Sequence, residues 1–259
     1  MIPKKIHYCW FGGKEMPKEL LVFIDTWEKH CPDYEIKLWS ETNFDVSSHP
    51  FTKSAYAVGK FAFVSDYVRV FALYTEGGVY LDTDVELKMG IDEFLVHEAF
   101  SGFEIRGTPM TAVWGSIAGH SLLAGMLAYY KDRVYKSDQE PNTRTITEIL
   151  IHQFKIDPNL NELQIGSDGL NSIHIYPAEF FCLDVRPNYA THHFHASWVE
   201  KADLPIKKYI HMKHLADDLN GFDVDRVYIL NALAKRLSFF DVSKIFLFKV
   251  YLIIRDFFS

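Results

Sequence analysis

The chain has 259 residues, of which 48% are hydrophobic, 15% aromatic and 24% charged. This composition excludes disordered and collagen-like proteins, and the length suits one large α/β domain. The net charge of −7 argues against a general binder of nucleic-acid backbones. Cys9, Cys31 and Cys182 cannot all pair within the chain, and they lack zinc-site spacing. Since the first residues hold no apolar signal segment, we expect a cytoplasmic protein.

Predicted elements alternate between short strands and longer helices, the pattern of a three-layer α/β domain. The predicted strands lie at 6–10, 34–39, 79–87, 99–104, 111–117 and 173–177. The predicted helices lie at 17–30, 53–75, 121–135 and 144–154. We expect the glycine pair at 77–78 to end the second helix.

The segment after this glycine pair carries closely spaced acidic residues. Asp82 and Asp84 are two residues apart, so on a strand their side chains point the same way. At the carboxyl end of a buried strand, two such carboxylates can hold Mg²⁺ or Mn²⁺. The alternative is an ordinary strand end with two solvated acids.

The preceding helix is apolar except for one narrow stripe that contains Ser65, Asp66 and Arg69. The functional interpretation is a polar pocket in which Asp66 accepts hydroxyl donors and Arg69 balances negative charge. The alternative is a simple ion pair between these two residues.

Three segments together resemble a known family. The run from Phe61 to Asp84 resembles the DXD-containing sugar transferases of glycosyltransferase family 32, a block that large glucosylating bacterial toxins share. The run Ile2–Gly13 is similar to the first strand of that family, and His192–Trp198 to its C-terminal His-His…Ser-Trp element. The three segments occur in the order of the family.

The resemblance implies a GT-A fold, that is, a Rossmann-like α/β/α nucleotide-sugar-binding domain, together with Mn²⁺ or Mg²⁺ and retention of anomeric configuration. The residues that it assigns to catalysis are Asp66, Arg69, Asp82 and Asp84. The residues that it assigns to the donor nucleotide sugar are Cys9, Trp10, Ser65, Asp66, Arg69, Tyr80, Asp82 and Trp198. The residues that it assigns to the metal are Asp82, Asp84, His193 and Ser197. His195 stands where the family usually has a small residue, so the choice among His192, His193 and His195 stays open.

This assignment makes chemical sense. A cation held by Asp82 and Asp84 would neutralise charge that develops on a nucleoside diphosphate leaving group. The indole of Trp10 would stack on the base, an interaction worth about 1–3 kcal/mol; its alternative is a core aromatic. The histidines have a solvated loop as their alternative. Asn142 and Thr143 match the acceptor-side loop of the family only weakly.

The C-terminal segment differs from the rest. Residues 235–259 hold five basic and two acidic residues, with the charges on one helical arc and apolar residues opposite. Charges interrupt it too often for a spanning helix, so an amphipathic helix at a membrane surface or a packed terminal helix fits. We therefore predict a catalytic domain at 1–215 and a helical extension at 216–259.

From these observations we expect a transferase that moves a hexose (glucose, galactose or an N-acetylated form). The donor is expected to be UDP-linked, with a GDP-sugar left open. The expected acceptor is a glycan or lipid-linked oligosaccharide of surface polysaccharide synthesis, and the expected location is the inner face of the membrane. The alternatives are a haloacid-dehalogenase-like phosphohydrolase and a non-catalytic, metal-dependent carbohydrate-binding module.

Overall fold

A computed structural model describes residues 1–105, 108–138, 142–184 and 187–194. Its strands are β1 (Lys5–Cys9), β2 (Glu35–Trp39), β3 (Gly78–Leu81), β4 (Val85–Leu87), β5 (Ala99–Ile105), β6 (Thr108–Ser116), β7 (Gln164–Ser167), β8 (Ser172–Tyr176) and β9 (Ala190–His192). Its α-helices are α1 (Lys18–His30), α2 (Pro50–Ala57), α3 (Phe61–Glu76), α4 (Ser121–Tyr130), α5 (Thr143–His152) and α6 (Ala178–Phe181), with a 3₁₀ helix at Asp92–Val96.

Seven strands form the central sheet in the order β2-β1-β3-β6-β5-β8-β7. β1, β2, β3, β5 and β8 run in one direction, and β6 and β7 run in the other. The carboxyl ends of β1, β3 and β5 therefore lie along one edge of the sheet, where α/β folds bind ligands.

Helical elements cover both faces of this sheet. Ile175 of β8 lines a small cavity together with Leu122 of α4 and Ile146 of α5. The next residue, Tyr176, packs against Phe94 of the 3₁₀ helix at 5.0 Å between ring centroids. Because successive side chains on a strand point to opposite faces, these contacts define three layers. The predicted α/β class is confirmed.

Two predicted elements are each divided in the structure. The helix predicted at 53–75 is α2 and α3, which are separated around Gly59, a residue with φ +70°. The strand predicted at 79–87 is β3 and β4, because the chain turns at Asp82–Asp84. β4 pairs with β9 in a separate two-stranded sheet, which sequence patterning did not predict.

Helix α1 fixes the strand that follows the acidic turn. Its buried face carries Leu20, Ile24 and Trp27, as the apolar periodicity predicted. The Trp27 indole donates a hydrogen bond to the Val85 carbonyl at 2.8 Å. The Leu87 amide donates to the hydroxyl of Thr26 at 3.0 Å. β4 is thereby held against α1.

Cys9, Cys31 and Cys182 are buried, and no disulfide joins them. Within the described part of the chain, no helix is both long enough and apolar enough to cross a membrane. The predicted extension at 216–259 and its amphipathic segment lie outside the described residues.

Candidate functional site

The site begins with the glycine pair that precedes β3. Gly77 and Gly78 have φ values of +65° and +109°, which favour glycine. A Cβ on Gly78 would lie 2.6 Å from the carbonyl oxygen of Lys5, so the close packing of β3 against β1 also requires glycine. All four residues of β3 are buried. The strand thus delivers Asp82 to the carboxyl edge of the sheet.

His7 holds this glycine turn from β1. Its Nε2 lies 2.7 Å from the Gly77 carbonyl oxygen, and its Nδ1 accepts a hydrogen bond from the Trp39 indole at 3.0 Å. Burial lowers the pKa of His7, so the ring is neutral, with Nε2 as donor to Gly77. This structural histidine was missed by sequence reasoning.

Arg69 of α3 lies between two carboxylates. Its Nη2 is 3.2 Å from Asp66 Oδ1 and 3.2 Å from Asp82 Oδ1. Its Nη1 donates to the Thr111 carbonyl at 3.0 Å, and its guanidinium carbon lies 4.6 Å from the centre of the Tyr80 ring. The predicted pair of Asp66 and Arg69 therefore exists, and it extends to the acidic turn.

Asp66 is buried, with 9% of the residue exposed. Burial raises its pKa to about 6, although the charge of Arg69 acts against this shift. The Asn142 side-chain amide donates to the backbone carbonyl of Asp66 at 3.1 Å. Asn142, which the sequence matched only weakly, thus fixes the base of this pocket.

Tyr80 and Asp82 are also directly connected. The Tyr80 hydroxyl donates to Asp82 Oδ1 at 3.0 Å. Oδ1 of Asp82 therefore accepts the Tyr80 hydrogen bond and also forms the ion pair with Arg69. The other carboxylate oxygen of Asp82 has neither of these contacts.

Three side chains present ligand atoms that suit a divalent cation. One atom each of Asp82, Asp84 and His192 lies within 4.8 Å of the other two. Carboxylate oxygens and a neutral imidazole are ligands that Mn²⁺ accepts, and Mg²⁺ prefers the oxygens. These residues therefore fit the cation that the resemblance implies.

His192 carries a proton in the absence of a cation. Burial lowers its pKa, but the carboxylates of Asp84, 3.4 Å from Nε2, and of Glu104 and Asp82 together outweigh burial and raise the pKa to about 9. Its Nδ1 is buried and has no hydrogen-bond partner among the residues that the structure describes. A bound cation would replace the proton, since a metal ligand must be deprotonated.

The structure favours His192 over His193 as the histidine beside the aspartates. His193 was predicted as a metal ligand, but its Nε2 lies 2.8 Å from Glu86 and its ring stacks on Phe23 at 4.5 Å. His192 ends β9 opposite Val85, and consecutive side chains on an extended chain point to opposite sides. His192 therefore faces the aspartates and His193 faces away. His195, Ser197 and Trp198 lie outside the described residues.

The remaining predicted nucleotide residues lie near the carboxyl end of β1. Trp10 directly follows β1, is half-buried, and donates its indole N–H to the Lys14 carbonyl at 2.7 Å. Cys9 is buried, and burial raises the pKa of its thiol to about 12. Ser65 is half-buried in α3, where its hydroxyl donates to the Phe61 carbonyl at 3.2 Å.

Part of the chain matches known glycosyltransferases in sequence. Residues 17–101 match the family model described as "Glycosyltransferase sugar-binding region containing DXD motif". Inositol phosphoceramide mannosyltransferase 3 of Schizosaccharomyces pombe is 30% identical over 126 residues, which cover 46% of this chain and 33% of that protein. Initiation-specific alpha-1,6-mannosyltransferase of Candida albicans is 31% identical over 103 residues, which cover 36% of this chain and 27% of that protein. The match thus spans a third or less of each relative.

Solved structures with a similar arrangement are more distant. The PaToxG glycosyltransferase is 18% identical, with a TM-score of 0.48, over 58% of this chain and 69% of that one. The galactosyltransferase LgtC is 13% identical, with a TM-score of 0.37, over 81% of this chain and 96% of that one. Both TM-scores are below 0.5, so these two structural similarities are distant.

The matched region contains the polar stripe of α3, the glycine pair and the acidic turn, and it ends in β5. These are the features on which the resemblance rested. The predicted resemblance is confirmed to the extent that residues 17–101 match the model of a DXD-containing glycosyltransferase sugar-binding region.

Proposed function

We propose that this chain is a metal-dependent hexosyltransferase that uses a nucleotide sugar as its donor. The observation that supports the proposal most strongly is the group formed by Asp82, Asp84 and His192. It lies at the carboxyl edge of the sheet and at the end of the strand that the DXD region supplies. A phosphohydrolase or a carbohydrate-binding module would not require an indole, such as that of Trp10, after the neighbouring strand β1.

The proposed mechanism assigns a role to each polar side chain. Asp82, Asp84 and His192 would hold a divalent cation, which stabilises negative charge on a diphosphate leaving group. Arg69 fixes Asp82 through its 3.2 Å contact and keeps the acidic pocket electrically balanced. Asp66 would bind hydroxyl groups of the donor hexose, and Trp10 would stack on the base.

Several donors and two classes of acceptor are candidates for this chain. The relatives' names specify mannosyl transfer, so mannose joins glucose, galactose and the N-acetylated hexoses as candidate sugars. Both UDP and GDP are candidate carriers. We propose a glycan or lipid-linked oligosaccharide as acceptor, and retention of configuration on the strength of the resemblance.

Nucleotide binding tests the proposal before any acceptor is known. Calorimetric titration of UDP and of GDP should show binding of one of them, stronger with Mn²⁺ than with a chelator. Asp84→Asn should remove the Mn²⁺ effect, and Glu148→Gln, on the exposed face of α5, should retain it. Absence of binding by both nucleotides in the wild-type chain would contradict the proposal.

We also propose a cytoplasmic location with contact to an anionic membrane surface through residues 235–259. The basic excess of this segment supports the proposal. The full chain should sediment with anionic vesicles at low salt, and a variant with Lys244, Lys249 and Arg255 changed to Glu should not. Equal sedimentation of both proteins would argue against contact through these charges.

A further inference from the structure

Glu104 is an acidic residue that none of the predicted site motifs includes. It lies next to the last residue of β5 (Ala99–Ile105). β5 runs parallel to β3, because each of them pairs antiparallel with β6. Glu104 therefore lies at the same edge of the sheet as Asp82, with one strand between them.

The strand is irregular at this position. Its pairing with β6 shifts register between Ser101 and Phe103 and again between Phe103 and Ile105. Such bulges redirect side chains and occur often beside functional sites. The second shift spans Glu104 itself, so the pairing of β5 with β6 is irregular at this residue.

The charges that act on Glu104 come from the candidate cation site. Burial raises the pKa of Glu104; the charge of His192 lowers it, and those of Asp82 and Asp84 raise it. Within the described part of the chain, no hydrogen bond or ion pair to the Glu104 carboxyl is found. By contrast, Glu86 beside the acidic turn pairs with Lys88 at 2.7 Å.

When no metal is bound, protonated His192 partly balances the charge of Glu104, while the carboxylates of Asp82 and Asp84 repel it. A divalent cation that replaced the His192 proton would balance all three carboxylates. Since Mn²⁺ and Mg²⁺ take up to six ligands, they also have room for more than Asp82, Asp84 and His192. Metal sites in proteins commonly have further carboxylates that form hydrogen bonds with the groups bound to the metal.

We propose that Glu104 is the third carboxylate of the cation site and is held to the ion through a coordinated water, because the closely spaced ligand atoms are those of Asp82, Asp84 and His192. The inference rests on the proposed function, because it assumes that Asp82, Asp84 and His192 hold a cation. It assigns to the end of β5 a role that the DXD motif alone does not cover.

The test measures Mn²⁺ affinity by the electron paramagnetic resonance signal of free Mn²⁺, with and without an added nucleoside diphosphate. Glu104→Gln keeps the shape of the side chain and should weaken Mn²⁺ binding about tenfold or more. Glu148→Gln should bind Mn²⁺ as the wild type does, and Asp84→Asn should lose binding. An affinity of Glu104→Gln within twofold of the wild type would overturn the inference.

Thermal unfolding separates this role from a structural one. Without metal, Glu104→Gln should unfold at the same temperature as the wild type or higher, because burial of the Glu104 carboxyl disfavours its charged form more than His192 stabilises it. With Mn²⁺, its gain in unfolding temperature should be smaller than that of the wild type. A lower unfolding temperature without metal, together with an unchanged gain, would identify Glu104 as a structural residue and overturn the inference.

The same data distinguish the two proposals. If the wild type binds Mn²⁺ and Asp84→Asn does not, the cation site of the proposed function stands whatever Glu104→Gln shows. If the wild type binds no Mn²⁺ under either condition, the proposed function and the inference both fail.

Discussion

Nη2 of Arg69 lies 3.2 Å from Oδ1 of Asp82, and this contact joins the middle of α3 to the end of β3. The contact explains why one buried helix carries a polar stripe. Arg69 neutralises part of a carboxylate cluster that would otherwise repel itself. The stripe of α3 and the acidic turn are therefore parts of one site.

Removal of the Arg69 guanidinium should lower the free energy of unfolding. Arg69→Ala leaves the buried Asp66 without its cation, so we expect the free energy of unfolding to fall by about 3–5 kcal/mol. Arg144→Ala removes an exposed pair with Glu148 and should cost about 0.5 kcal/mol or less. Urea unfolding of the two variants tests this difference, and similar losses in both would contradict the role given to Arg69.

The buried Asp66 predicts a pH dependence of stability. Its pKa is raised from 3.8 to about 6 on folding, so the folded chain binds more protons than the unfolded chain between these values. Stability from this group is full at lower pH and is lost as pH rises toward about 6–7. Relative to Asp66→Asn, the wild type should lose roughly 2–3 kcal/mol across this window. Denaturant unfolding of both proteins at a series of pH values measures this loss. A wild type that becomes more stable than Asp66→Asn as the pH rises would contradict the prediction.

An alanine at position 78 should clash with the neighbouring strand, whereas an alanine at position 59 should not. A Cβ at Gly78 meets the Lys5 carbonyl oxygen at 2.6 Å, whereas a Cβ at Gly59 meets nothing within 4 Å. Both residues have positive φ. Gly59→Ala should therefore cost about 1 kcal/mol of unfolding free energy, and Gly78→Ala clearly more. Equal costs, measured by urea unfolding, would show that β3 does not need this close approach to β1.

The two neighbouring histidines should differ in metal binding. His192→Ala removes a proposed ligand, so Mn²⁺ affinity should fall about tenfold or more. His193→Ala removes a contact with Glu86 and Phe23 and should leave Mn²⁺ affinity within about threefold of the wild type. Calorimetric titration with Mn²⁺ distinguishes them, and the reverse order of effects would restore the original choice of His193.

Much of the fold and site could be predicted from local patterns. Apolar periodicity indicated α1, and the spacing of Asp82 and Asp84 indicated a shared direction at a strand end. The narrow polar stripe singled out Asp66 and Arg69, which the structure brings to the same cluster. These features depend on residues close in sequence.

Features that depend on distant pairing were missed. The choice between His192 and His193 is set by the register of β9 on β4, more than 100 residues earlier in the chain. Glu104 approaches the site only because β5 runs parallel to β3, which no local pattern reveals. A rule that acidic residues at the ends of parallel strands share one edge would have indicated Glu104.

The most direct test of the account is nucleotide release from a panel of UDP- and GDP-sugars, with Mn²⁺ and with a chelator. We predict Mn²⁺-dependent release from one donor, which Asp84→Asn loses while it keeps the wild-type fold by circular dichroism. Release that continues at the wild-type rate in the chelator or in Asp84→Asn would contradict the cation site. Neither release nor nucleotide binding by the wild type would contradict the transferase function itself.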